Sequence, residues 1–216
     1  EESAVQEFDE KNAKNMEPNQ AKDAGNTGAP ASGTRISIFR YDKESYDEVS
    51  RATCDDCEKF KNADGVVWIN VDGVKDTELL RRIGAAFNIH PLVLEDISHT
   101  NQRPKYESYG AYSYIVLRML QIGAGNGIID NEQLSIVSGR TFVLTFQEKE
   151  GDVFDPIRNR IRTGAGRLRS MKADFLVCML LDTIVDGYLQ IIEVVGDKIE
   201  EIEEEIINNP TSDTLR

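Results

Sequence analysis

From Leu181 to Ile206, apolar residues return every three or four positions (Leu181, Ile184, Tyr188, Ile191, Val195, Ile199, Ile202, Ile206), with acids at many of the places between. That spacing follows the 3.6-residue turn of an α-helix and excludes a strand, whose faces alternate with period two. The segment therefore reads as one long amphipathic helix over 172–209, closed by Asn208-Asn209-Pro210. Its stripe is close to a seven-residue repeat, which demands a second long helix as partner. No obvious partner occurs elsewhere in the sequence. Glu193, Asp197, Glu200, Glu201, Glu203, Glu204 and Glu205 read as the solvated side of this helix rather than as an ion-concentrating surface.

Upstream, the chain changes character twice. Residues 1–33 are rich in Glu, Asn, Ala, Gly and Ser and carry almost no apolar periodicity, so they are expected to form a disordered tail. Residues 34–171 are expected to form the globular part. Strand signals run over Arg35–Tyr41, Val66–Val71, Tyr112–Ile122, Glu132–Val137 and Thr141–Phe146, separated by turns such as Asn126-Gly127 and Ser138-Gly139. Helices interleave: Asp76–Phe87 places Leu79, Leu80, Ile83 and Phe87 on one face, Pro91 opens a second, and Asp155–Arg162 makes a third. The expected fold class is α/β: an α/β/α layered sandwich with a mixed sheet, followed by the long acidic helix.

With 216 residues, 40% hydrophobic content and a net charge of −13, the chain can bury one sizeable core, and its acidity argues against nucleic acid as a partner. No stretch approaches the roughly 18 consecutive apolar residues of a membrane span, Phe175–Leu181 being the longest candidate. The N-terminus lacks the basic-then-apolar order of a signal peptide, so a soluble protein is expected. Three cysteines, Cys54 and Cys57 in one C-x-x-C and Cys178 in an apolar helical pattern, suggest no disulfide framework and fit a reducing compartment. A zinc site would need a second ligand pair. His90 stands before Pro91 and His99 in a separate turn, so neither completes one, and His90 is expected to pack at the entrance of the Pro91 helix.

Two acid pairs are the candidate sites. Glu95 and Asp96 fall toward the end of the Pro91 helix, where the helix dipole disfavours a carboxylate by about 0.3–1 kcal/mol. A hard divalent cation would relieve them, since Mg2+ takes one or two carboxylates and keeps its waters. A surface ion pair with Arg103 or Lys105 would do the same. Asp182 and Asp186 stand four residues apart on one helix face beside the apolar stripe, where partial desolvation would call for a cation or a salt bridge to Arg167, Arg169 or Lys172. Arg158, Arg160, Arg162, Arg167, Arg169 and Lys172 form the one basic cluster, expected to pair internally with the acidic C-terminal helix. No aromatic interleaves with it, which weighs against nucleic-acid binding. A metal-dependent hydrolase could also use paired carboxylates, but no G-x-S-x-G, P-loop or H-E-x-x-H motif is present, and no enzymatic activity is expected.

The motifs His90-Pro91-Leu92, Glu95-Asp96-Ile97, Gln102-Arg103-Pro104-Lys105, Tyr112–Met119, Phe146-Gln147-Glu148-Lys149 and Gly151-Asp152-Val153-Phe154-Asp155-Pro156 together resemble the cytoplasmic domain of the CorA-type magnesium and cobalt transporters. The resemblance covers the chain from about Trp68 to Pro210. It implies a cytoplasmic regulatory domain of a cell-membrane divalent cation channel built from five identical subunits. Mg2+, or Co2+, would bind between subunits and hold the closed state. Asp96 matches the family's regulatory aspartate, Glu95 the acid beside it and Asp182 an acid of a second metal site, with Asp186 one turn on. The family's later stalk helix, both membrane spans and the Gly-Met-Asn pore motif do not occur in these 216 residues, so membrane contact is expected only through segments outside them. A zinc exporter shares the architecture. From the residues without the resemblance, a soluble adaptor whose C-terminal helix forms a coiled coil is the alternative.

Overall fold

The computed structural model describes residues 33–123 and 129–208; most of the expected N-terminal tail, the Asn126-Gly127 turn and the Asn209-Pro210 helix stop lie outside them. Seven strands form one mixed sheet: β1 (Arg35–Tyr41), β2 (Tyr46–Val49), β3 (Val66–Asp72), β4 (Lys105–Ser108), β5 (Tyr112–Ile122), β6 (Ile129–Gly139) and β7 (Phe142–Gln147). Their order across the sheet is β2-β1-β3-β7-β6-β5-β4. Every neighbouring pair is antiparallel except the central β3–β7, which is parallel from Val67↔Phe142 to Asp72↔Gln147. β3 is buried along its whole length, as a strand covered on both faces must be.

Helices cover both faces, giving the expected α/β/α sandwich. On one face lie α1 (Cys54–Phe60), α2 (Thr77–Phe87) and α3 (Pro91–Ser98), packed through Cys57, Leu80, Ile83, Val93 and Ile97 against Ile38, Ile69 and Tyr114. On the other lie α4 (Asp155–Thr163) and α5 (Ala173–Asn208), which bury Ile157, Ile161, Leu176, Leu180 and Ile184 against Trp68, Leu134 and Ile136. Each fully buried aliphatic side chain of this kind contributes about 1.5–3 kcal/mol of transfer free energy.

Strand and helix positions follow the apolar pattern closely, and the omissions are short. β2 and β4, four residues each, are too brief for a period-two signal. α1 owes its existence to a capping box, Thr53 with Asp56, in which each side chain accepts from the other's backbone N–H. The turn before β7 falls at Arg140-Thr141, because β6 runs through Ser138-Gly139. Cys54 and Cys57 are buried free thiols, and burial pushes Cys57 up to about 12. Cys178, expected within the apolar pattern, is exposed.

α5 departs from expectation in its packing. Its first half lies on the sheet, burying Ala173, Leu176, Val177, Leu180 and Ile184. Among the described residues no helix packs along its second half, and Val195, Ile199 and Ile202 are 41%, 52% and 52% exposed. The 36-residue helix spans about 54 Å, whereas the 11-residue strands beneath span about 36 Å, so the helix outruns the surface available to cover it. By length and composition alone α5 is also apolar enough to cross a membrane. No run of 18 consecutive apolar residues occurs in it, as expected, because Asp182 and Asp186 interrupt the apolar stretch.

Candidate functional site

Glu95 and Asp96 are held by a helix whose start is over-determined. His90 caps α3, its Nδ1 accepting from the Leu92 N–H at 3.2 Å, while its ring stacks on Tyr109 and Pro91 takes the first turn. Asn88, in the left-handed conformation at φ 54°, closes α2 and turns the chain toward α3. Gly84 of α2 then allows the close approach, since a Cβ there would stand 2.4 Å from Leu94 Cδ1. Past α3, the Gln102-Arg103-Pro104 turn is pinned by Gln133, which accepts from the Gln102 N–H at 2.9 Å and donates to the Asp96 carbonyl at 3.0 Å.

Lys105 meets Asp96 at 2.6 Å and Glu107 at 2.9 Å. Its ammonium also stands 5.5 Å above the Tyr114 ring. The Asp96 hydrogen bond is the largest of the influences that raise the Lys105 pKa, and the Lys105 hydrogen bond leads those that lower the Glu107 carboxyl. The ion pair considered from residue types is therefore present, through Lys105 rather than Arg103. Glu95 is exposed beside it and forms no ion pair among the described residues. Any cation at Asp96 competes with an ammonium already in place.

Asp182 and Asp186 are exposed, which corrects the expectation of partial desolvation: α5 turns this face to solvent, so water already solvates both carboxylates. Among the described residues neither forms an ion pair with Arg167, Arg169 or Lys172. They border a cavity of about 380 Å3 with Arg160, Thr183 and Gln190. The two acid pairs sit on helices that pack on opposite faces of the sheet, so one chain does not bring them together.

The basic cluster does not pair with the acidic end of α5. Arg158 binds Asp152 at 2.5 Å and Asp155 at 2.9 Å, and Arg162 binds Glu48 at 2.8 Å. Arg169 donates to the Ile161 and Arg162 carbonyls, closing the last turn of α4. Distance explains the correction, because Glu193 lies about 30 Å along the helix from Lys172. The aromatics missing locally arrive from the sheet, with Arg158 over Trp68, Arg162 over Phe39 and Arg169 over Tyr46.

Two buried carboxylates went unnoticed in the sequence. Glu132 accepts from the N–H groups of Glu148 and Lys149, and burial raises it to about 7. Asp72 accepts from Asn70 at 2.7 Å, and burial raises it to about 6. Parity could have revealed both: Asn70 and Asp72 share the face of Trp68, and Glu132 shares that of Leu134, so each is an acid at a core-facing position. No group of three or more His, Cys, Asp or Glu side chains is arranged to hold a metal among the described residues.

Comparison with known proteins supplies the context. The family model described as CorA-like Mg2+ transporter protein matches residues 63–216. The chain is 37% identical over 190 residues to the cobalt/magnesium transport protein CorA of Thermotoga maritima, covering 88% of this chain and 54% of that protein. It is 31% identical over 139 residues to the putative metal ion transporter YfjQ of Bacillus subtilis, covering 63% of this chain and 41% of the relative. It thus spans about half the length of these relatives. The soluble domain of CorA from Methanocaldococcus jannaschii shares the fold, with a TM-score of 0.60 at 16% identity over 83% of this chain and 67% of that one. The ZntB cytoplasmic domain from Vibrio parahaemolyticus does so with a TM-score of 0.57 at 13% identity, over 83% of this chain and 68% of that one. With most of its length matched by the family model and its sheet-and-helix sandwich shared with such soluble domains, this chain belongs to the CorA-like Mg2+ transporter family.

Proposed function

We propose that this chain is the cytoplasmic regulatory portion of a cell-membrane transporter for Mg2+, with Co2+ as a second cargo, and that it senses cytoplasmic Mg2+ at acidic sites between identical subunits arranged as a pentamer. Asp96 is the principal ligand, with Glu95 beside it and Asp182 and Asp186 forming the second site. The observation that carries this reading is the placement of the two acid pairs on opposite faces of one sheet. A neighbouring copy could set one subunit's α5 acids against the next one's α3 acids. Like charges brought together across such an interface repel until cations occupy it, so ion occupancy would favour the closed packing. Membrane contact would come through segments beyond this chain.

Lys105 gives the proposal a feature particular to this chain. Its ammonium neutralises Asp96 at low Mg2+, and an arriving cation must displace it. The test is Mg2+-dependent protection from proteolysis, measured on the membrane-inserted protein that carries this chain. Asp96→Asn should raise the Mg2+ concentration for half-protection several-fold, and Lys105→Ala should lower it. Protection that ignores Mg2+, or that both substitutions leave untouched, would remove Asp96 from the sensor.

A further inference from the structure

A cavity of about 310 Å3 opens on the α4 side of the sheet, at the carboxyl ends of β3 and β7, where Asp72 and the Glu150–Asp152 segment face β1. These two strands are the parallel pair, and crevices beyond the carboxyl ends of parallel strands are the usual ligand positions in open α/β sheets. Its size lies at the small end of the range for small-molecule sites, roughly 300–1,000 Å3.

A directed chain of hydrogen bonds ends in this cavity. Trp68 Nε1 donates to Thr145 Oγ1 at 3.0 Å, Thr145 Oγ1 donates to Asn70 Oδ1 at 2.6 Å, and Asn70 Nδ2 donates to Asp72 Oδ1 at 2.7 Å. Each group spends its donor toward the next, so the chain terminates in an acceptor. Asp72 is 7% exposed, lines the cavity and forms no ion pair among the described residues. The cavity's arginines are already committed: Arg35 to Glu150, Arg162 to Glu48, and Arg158 to Asp152 and Asp155. Among the described residues lining the cavity, Asp72 is thus the one carboxylate without an ion-pair partner. A buried carboxylate that lacks one is destabilised in its charged form, in keeping with a pKa held up near 6.

We infer that this cavity binds a small organic cation through an ammonium or guanidinium group that donates to the free Asp72 oxygen. A divalent metal fits less well. It would meet a single uncommitted carboxylate, with the positive charges of Arg35 and Arg158 close enough to favour the ionised form of Asp72. A singly charged N–H donor is repelled less by those arginines and needs only one acceptor face.

The experiment uses the 216-residue chain, with n-butylguanidine, n-butylamine and MgCl2 as probes and the side-chain amide resonances of Asn70 as a local reporter. A saturable shift is expected with at least one of the organic cations. Its affinity should fall about tenfold from pH 7.5 to pH 5, as Asp72 takes a proton, and by a similar factor in Asp72→Asn. The pH series on the unaltered chain tests the idea even if the variant folds poorly. No saturable shift with either organic cation, binding indifferent to pH, or a shift with Mg2+ alone would each overturn the assignment.

Discussion

The two halves of α5 carry the same three-and-four spacing of apolar residues but meet different surroundings. From Ala173 to Ile184 the stripe is buried on the sheet against Trp68, Leu134 and Ile136. From Val195 to Ile207 the same kind of side chain stands in solvent, Ile207 being 77% exposed. Periodicity reports that a face is apolar and says nothing of whether a partner exists within reach. The contrast matters for the proposed assembly, because an unburied isoleucine stripe and exposed Asp182 and Asp186 are surfaces that a neighbouring subunit could use.

The sharpest way to break this contrast is to truncate one residue from each half. Leu180→Ala, at a fully buried position, should cost about 3 kcal/mol in chemical denaturation of the isolated chain. Ile199→Ala should change it by less than about 0.5 kcal/mol. Equal losses would mean that the distal half is covered in solution.

An intermediate effect is expected at Glu132, on the sheet face that the first half of α5 covers. Its carboxyl rises from an ordinary value of 4.5 to about 7, so the folded state favours the protonated form. That contribution to stability is complete below about pH 4.5, declines as pH rises through 7, and is then lost. Glu132→Gln removes the decline, so the variant should gain on the unaltered chain by of order 1 kcal/mol between pH 5 and pH 8. Parallel stability curves for the two proteins would show that Glu132 titrates normally.

The smallest effect should come from Asp182→Asn or Asp186→Asn. Both carboxylates are exposed, and as like charges one turn apart they repel, so thermal unfolding should show a gain of about 0.2–0.5 kcal/mol or no change. A marked loss of stability would point to a partner interaction that the exposed geometry does not provide.

Much of the architecture is legible in the residues themselves. Arg35–Tyr41, Tyr112–Ile122 and Thr77–Phe87 follow directly from alternation, capping and turn chemistry, because those signals act over a few neighbouring residues. β2 and β4 were invisible, since four residues carry too little period and these edges form only because β1 and β5 are there to pair with. The Asp96–Lys105 pair was half visible: the residue types offered Lys105 and Arg103 alike, and the choice fell to the β4 register, which places Lys105 opposite Val116.

By itself the sequence determined the layered α/β/α class, the long C-terminal helix and the family, because apolar periodicity and clustered motifs are local in the chain. Only the tertiary structure decided which aspartates are paired, that the two acid pairs lie on opposite faces, and that the stripe of α5 from Val195 onward goes uncovered among the described residues. Those outcomes depend on which strands become neighbours and on how far a helix of about 54 Å extends beyond strands of about 36 Å. Such lengths and adjacencies arise only when distant segments pack together.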